Sequence, residues 1–224
     1  MSRPTLEAVL NYAISDRTLF HHPDDYRRNA LIHQSGLWAA QGIDFIQLRE
    51  KDLEAGQLAD LTRAMLVAVR TVAGTGTRLL VNSRADVAVA AGADGVHLTA
   101  AAGELTPDQV RAVFAAAGRP IPVVSVACHT VSDVMQACRG GADLMLFGPV
   151  YGKVVGGIEV MAGVGVGSLR AACVAADGVR LLALGGVTRE NASECMAAGA
   201  AGVAGIRLFL EDPGSVVDES SDRE

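Results

Sequence analysis

Apolar and polar positions alternate in blocks along nearly the whole chain. Short apolar runs predict strands at Leu10–Ile14, Ile43–Leu48, Arg78–Val81, Gly95–Leu98, Ile121–Val126, Asp143–Phe147, Arg180–Leu184 and Gly202–Ile206. Between them, apolar residues recur at helical spacing over Ala55–Ala73, Pro107–Ala117, Val131–Arg139, Gly167–Ala176 and Arg189–Ala198. Thr106 before Pro107, and Thr188 before Arg189, offer side-chain oxygens to the free N–H groups of a first helical turn. Three joints repeat: Gly92-Ala93-Asp94-Gly95, Gly140-Gly141-Ala142-Asp143 and Gly199-Ala200-Ala201-Gly202. In each, glycine closes a helix and small residues let the next strand begin at once.

Eight strand signals separated by helices predict an α/β fold, a single (β/α)₈ TIM barrel over residues 1–210. The alternative, an open doubly wound sheet, wants a glycine-rich loop after the first strand, where this chain has Ser15-Asp16-Arg17-Thr18. Two segments fall outside the repeat. Thr18–Asn29, rich in charge and histidine, reads as a long loop. Residues 211–224 read as a frayed acidic tail that truncates the eighth helix. The apolar barrel surface left bare would suit a second subunit, so a homodimer is expected.

Composition narrows the function without naming it. The 224 residues are half apolar, one-fifth charged and formally −6, which leaves no basic footprint for nucleic acid or an anionic membrane. No apolar run is long enough to span a bilayer, and the first residues lack a signal-peptide layout. Cys128, Cys138, Cys173 and Cys195 lack paired metal-ligand spacing and read as reduced thiols of a cytoplasmic protein, so no zinc is expected.

In such barrels the chemistry sits at the carboxyl ends of the strands. After the seventh run, Gly185-Gly186-Val187-Thr188 precedes a helix, and backbone N–H groups there can hold a phosphate. Gly205-Ile206 after the eighth run supplies the other half of the cup. The plain alternative is a tight turn. Gln47, Arg49 and Lys51 alternate at the end of the second run and point two cations and an amide at an anion, against the reading of a solvated loop. Asn82 ends the third run and can face a heteroaromatic ring, while Arg84 and Asp86 pair to start a helix; simple capping competes. His129, at a strand end beside a helix start, is the candidate proton carrier, against a histidine that only caps; His97 is second. His21, His22 and His33 read as loop or surface residues. Cys128 points away from His129, which argues against a Cys–His nucleophile pair.

Taken in order, Tyr12-Ala13-Ile14-Ser15-Asp16, Gln47 to Lys51, Asn82 to Asp86, Ala93 to Leu98, Cys128-His129-Thr130, Phe147 to Tyr151 and Leu184 to Thr188 resemble the thiamine phosphate synthase/TenI family over residues 10–210. The resemblance implies one of two activities. Synthases join a pyrimidine diphosphate to a thiazole phosphate with magnesium; TenI-like tautomerases aromatise a thiazole phosphate by proton transfer without metal. Four synthase features are altered. Ser83 stands where the synthase pattern has a magnesium-binding Asp. Thr99 to Glu104 replaces the segment with the second Asp, leaving Glu104 as the one stand-in. Gly152 to Gly157 replaces the Thr-x-Thr-Lys segment, and Ala127 replaces a Ser. A hard cation wants oxygen ligands. The expectation is therefore a metal-free, TenI-like enzyme without a cofactor, acting on a small phosphorylated heteroaromatic metabolite. His129 would move the proton, Gly185, Gly186, Gly205 and Ile206 would hold the phosphate, and Gln47, Arg49, Lys51 and Asn82 would orient the ring. The alternatives are a divergent synthase that uses Glu104 and magnesium, and a non-catalytic phosphometabolite-binding barrel.

Overall fold

The computed structural model describes residues 9–21, 23–99, 101, 103–155 and 158–210. Its strands are β1 (Leu10–Ile14), β2 (Phe45–Leu48), β3 (Arg78–Asn82), β4 (Gly95–Leu98), β5 (Val123–Cys128), β6 (Leu144–Phe147), β7 (Lys153–Val155), β8 (Ile158–Met161), β9 (Arg180–Leu184) and β10 (Gly202–Gly205). Strands β7 and β8 form a separate antiparallel hairpin; the other eight are parallel and close into a barrel in which β10 pairs back onto β1. Helices α1 (Asp24–Ala40), α2 (Ala55–Thr71), α3 (Ala85–Ala91), α4 (Pro107–Ala116), α5 (Val131–Arg139), α6 (Gly165–Ala175) and α7 (Ala192–Ala197) lie outside. The expected TIM barrel is the observed fold.

Alternation along the strands divides the core into two layers. Leu48, Leu79, Val81, Val96 and Val124 face the helices and meet Leu61, Met65 and Phe114. Tyr12, Ile14, Leu144, Leu146, Leu182 and Ala204 fill the barrel interior. Capping boxes at Thr106–Gln109 and Thr130–Asp133 start α4 and α5, satisfying otherwise orphaned N–H groups in both directions. The fifth strand starts at Val123 rather than Ile121, because Pro122 has no N–H for the ladder and Ile121 lies in solvent. The strand also runs on to Cys128, past the expected Val126, so His129 follows it directly.

Two further expectations are corrected. The segment Thr18–Asn29 is not one long loop: α1 begins at Asp24, after Pro23 and with two acidic residues opening it, an order that suits a helix start. Its charge had masked a helix whose inner face buries Leu31 and Trp38. The last helix begins at Ala192, not Arg189; the turn before it carries the expected Thr188 cap, with Thr188 N–H donating to Asn191 Oδ1 at 2.8 Å and Asn191 N–H to Thr188 Oγ1 at 3.4 Å. Where no element was expected after β6, Lys153–Val155 and Ile158–Met161 pair as the β7–β8 hairpin.

Among the described residues no helix follows β10. Leu208 and Phe209 turn towards α1, where Trp38 Nε1–H donates to the Phe209 carbonyl at 2.9 Å. They leave a groove of about 480 Å³ on the outer side of β1 and β10, lined by Asn11, Ile43, Val203 and Phe209 among others. The expected acidic tail, residues 211–224, lies outside the described residues. No described helix is long and apolar enough to cross a membrane.

Candidate functional site

The carboxyl ends of β2, β3 and β4 are tied by one run of side-chain hydrogen bonds. Gln47 Nε2 donates to Asn82 Oδ1 at 2.8 Å, Asn82 Nδ2 to Ser83 Oγ at 3.3 Å, and Ser83 Oγ to Glu104 Oε2 at 2.8 Å. The same Glu104 oxygen accepts from Thr99 N–H at 3.1 Å and Thr99 Oγ1 at 2.8 Å. Ser83 holds φ at +57°, a conformation uncommon outside glycine, so the backbone is bent to aim this hydroxyl. Gln47 is 1% exposed, and its Oε1 is a sealed acceptor with no hydrogen-bond partner among the described residues. An unsatisfied buried acceptor of this kind is uncommon in folded proteins.

The three residues expected to share one side divide. Gln47 lies inside the barrel, and Arg49 is half-buried at the mouth, close enough to His97 for its charge to disfavour the protonated ring. Lys51 is exposed in a turn beyond the strand and lines a cleft with Asn82, Ser83 and Thr99. Glu50, between them, is buried and serves the scaffold. It accepts from Ser15 Oγ at 2.6 Å and from Arg17 Nη1 at 2.9 Å, and Arg17 also grips Asp52, whose carboxyl it holds below the usual carboxylate range. Sequence reasoning missed this cluster, whose partners lie 33 to 35 residues apart.

On the opposite side of the mouth, Gly185 and Gly186 take φ values of +91° and +65°. A Cβ on Gly185 would lie 2.6 Å from Pro149 Cα, and one on Gly186 2.6 Å from Tyr151 Cβ. The chain after β6 is zipped to the same turn, with Val150 N–H donating to the Leu184 carbonyl at 2.8 Å and Tyr151 N–H to Gly185 at 2.9 Å. Ala204 is in register with Leu184, which sets Gly205-Ile206 beside the glycine pair. Among the described residues, the N–H groups of Gly185, Gly186, Val187 and Ile206 donate to no protein acceptor. This is a cup of loop N–H groups; because α7 starts at Ala192, the expected helix dipole does not open onto it.

His129 is exposed just beyond β5, and its Nδ1 lies 2.6 Å from the Gly148 carbonyl. A carbonyl can only accept, so Nδ1 carries the proton and, in the neutral ring, Nε2 keeps a lone pair. Its neighbour Cys128 is buried on the helix side, with its thiol pushed up to about 12 by burial. Asp133 Oδ2 accepts from the backbone N–H groups of His129 and Thr130, at 2.9 and 2.8 Å. Burial alone would raise that carboxyl's pKa; the two N–H bonds outweigh it and hold it below the usual range. A lowered folded-state value means the cap's stability is intact above the unfolded value of about 3.9 and is lost as the pH falls through the folded value. Asp133→Ala is expected to cost about 1 kcal/mol at neutral pH. It should also flatten the acid limb of a melting-temperature profile; an unchanged limb would remove Asp133 from the account.

His97, the second choice for proton transfer, lies inside the barrel. Burial first, and the Arg49 charge second, bring its pKa down to about 3, so the ring is neutral. Between the β4 and β5 ends a cavity of about 260 Å³ opens beside Thr99, Glu104, Ala127 and Asp133. Glu104 offers its Oε1 there, since the described hydrogen bonds all use Oε2. No group of three or more His, Cys, Asp or Glu that could hold a metal occurs among the described residues.

The family model described as thiamine monophosphate synthase matches residues 12–209. A Geobacter sulfurreducens protein provisionally named a thiamine-phosphate synthase is 42% identical over 177 residues, covering 78% of this chain and 76% of that one. A Methanoregula boonei thiamine-phosphate synthase is 35% identical over 174 residues, with 78% and 76% covered. Among solved structures, a thiamine phosphate pyrophosphorylase from Pyrococcus furiosus superposes with a TM-score of 0.71 at 22% identity, over 93% of this chain and 91% of that one. That likeness supports the fold. The relatives' names favour a synthase over the tautomerase that the residues had suggested.

Proposed function

Because the chain belongs to the thiamine monophosphate synthase family, we propose that it is a transferase that couples a pyrimidine diphosphate to a thiazole phosphate. The observation that carries this reading is the Glu104 carboxylate, locked at the mouth by Ser83 and Thr99. The altered pattern had put the metal carboxylates in doubt. Arg49 and Lys51 are the cations available to a diphosphate, and Arg49 in its half-buried position acts with little screening. The N–H cup of Gly185, Gly186, Val187 and Ile206 takes the other phosphate, while Asn82, held by Gln47, orients a ring between the two.

The donor set fits magnesium in one limited way. Magnesium keeps several waters and binds through one or two carboxylates plus substrate phosphates. Glu104 Oε1 would supply the single carboxylate, and the bound ion would neutralise the diphosphate as it leaves. Among the described residues the protein alone builds no cage for the ion.

A second reading, metal-free tautomerisation of a thiazole phosphate, is favoured by His129. The Nδ1 bond to the Gly148 carbonyl leaves Nε2 of the neutral ring as a base. One experiment separates the readings: incubation with both precursors, with and without magnesium, followed by detection of thiamine phosphate. Magnesium-dependent product is expected. Isomerisation of the thiazole phosphate without metal would establish the second reading, and tight binding without turnover in either assay would mark a non-catalytic barrel.

A further inference from the structure

The barrel interior holds a three-residue polar chain that neither reading uses. Tyr12 Oη lies 3.1 Å from Ser125 Oγ, and Ser125 Oγ lies 2.8 Å from His97 Nδ1. Tyr12 and Ser125 are wholly buried, and His97 is 5% exposed. Hydroxyl hydrogens can rotate, so the two distances alone leave the direction of donation open. Donor accounting closes it. Among the described residues Ser125 is the one acceptor within reach of the Tyr12 hydroxyl. If Ser125 donated to Tyr12, the phenol proton would be sealed without a partner. If His97 Nδ1–H donated to Ser125, the serine proton would have nowhere to go but back to Tyr12, with the same result. Each alternative is disfavoured by roughly tenfold or more, the scale of leaving one buried hydroxyl unsatisfied. One arrangement satisfies every donor: Tyr12 to Ser125, and Ser125 to Nδ1 of His97.

We infer that Ser125, which also accepts the Tyr12 proton, is a positioning residue that fixes the His97 tautomer, so that His97 presents Nε2–H as a hydrogen-bond donor at the barrel mouth. Nε2 has no partner among the described residues, yet it is not among the sealed, unpartnered atoms, so it reaches open space. That space lies on the inner side of β4, where the Arg49 charge is felt and where His97 is in register with Asn82. Gln47, on the next strand, holds Asn82 in place through its Nε2. A ligand seated over this floor must therefore place an acceptor atom on His97. This donor pattern does not depend on which reaction the mouth carries out.

The test is the ¹⁵N spectrum of the full chain labelled at histidine, with the His97 ring resonances assigned through its backbone. In the wild type a neutral ring with an unprotonated Nδ1 and a protonated Nε2 is expected. In Ser125→Ala the donor to Nδ1 is gone, and the two ring nitrogens should move towards a mixture of tautomers. Tyr12→Phe leaves Nδ1 as the one acceptor the serine proton can reach, so it should keep the wild-type tautomer. Packing alone would not cause that contrast. The wild-type tautomer tests the inference by itself where Ser125→Ala does not fold. A wild-type ring protonated on Nδ1, or a tautomer unmoved in folded Ser125→Ala, would overturn the inference.

Discussion

Gly185→Ala is expected to lower the melting temperature by roughly 5–15 °C and to abolish the stabilisation that a phosphorylated ligand gives the wild type. Two costs add. The residue sits at φ +91°, outside the range that L side chains favour, which costs about 1–2 kcal/mol. The new Cβ would also meet Pro149 Cα and Cβ at 2.6 Å, and overpacking of this kind typically costs about 1–3 kcal/mol. Each kcal/mol moves the midpoint by about 2–4 °C in a domain of this size. Relief comes from pushing the Pro149–Tyr151 segment away, which breaks the bonds from Val150 and Tyr151 onto the glycine turn and re-aims the cup. Gly42→Ala is the control, with φ +79° and nothing within 4 Å of its Cβ, so it bears the first cost alone. Scanning calorimetry with and without thiazole phosphate reads both effects. If Gly185→Ala matched Gly42→Ala and kept its ligand response, the turn would be an ordinary one and not a phosphate cup.

The barrel was legible because its signal is local. Leu10–Ile14, Gly95–Leu98 and Arg180–Leu184 are strands with the limits that their apolar runs predict, and the glycine joints mark where helices end. What escaped was set by competition between local signals. In α1 the charges around Tyr26 to Asn29 outweighed a buried stripe that becomes clear only from Leu31 onwards. At Thr188 the expected cap is present, bonded both ways with Asn191, but the regular helix starts only after that turn, at Ala192. The β7–β8 hairpin is too short, and too rich in valine, to stand apart from the strand repeat around it.

The candidate site was legible by position and illegible by bonding. Counting strand ends locates Gln47, Asn82, His129, Gly185 and Gly205 around one mouth. It does not say that Glu104 spends one oxygen on Ser83 and Thr99, because that contact spans 21 residues and depends on how the loop after β4 folds back. Nor does it show the floor beneath the mouth. Tyr12, Ser125 and His97 come from three different strands, and only the register of β4 on β5 brings the last two together.

Glu104→Gln should separate the two proposed chemistries by the largest margin in rate. Glutamine keeps a carbonyl acceptor for Ser83 and Thr99, so the loop and the melting temperature should survive while the negative charge is lost. If Glu104 is the one carboxylate near a magnesium-bound diphosphate, coupling should fall roughly 10²-fold or more, the scale of removing one preorganised contact to developing charge. The response to magnesium should also shift to higher concentration. His129→Asn should disturb coupling far less, because its free Nε2 has no part in neutralising a diphosphate. Tautomerisation reverses the order. There His129→Asn removes the acid–base group, a loss of about 10²–10⁴ in rate, and Glu104→Gln is nearly silent. Measuring both variants in both assays therefore identifies the reaction even if the wild-type rates are slow. If both variants matched the wild type in both assays, the charge at Glu104 and the base at His129 would be outside the chemistry, and the barrel would stand as a binder of phosphorylated metabolites.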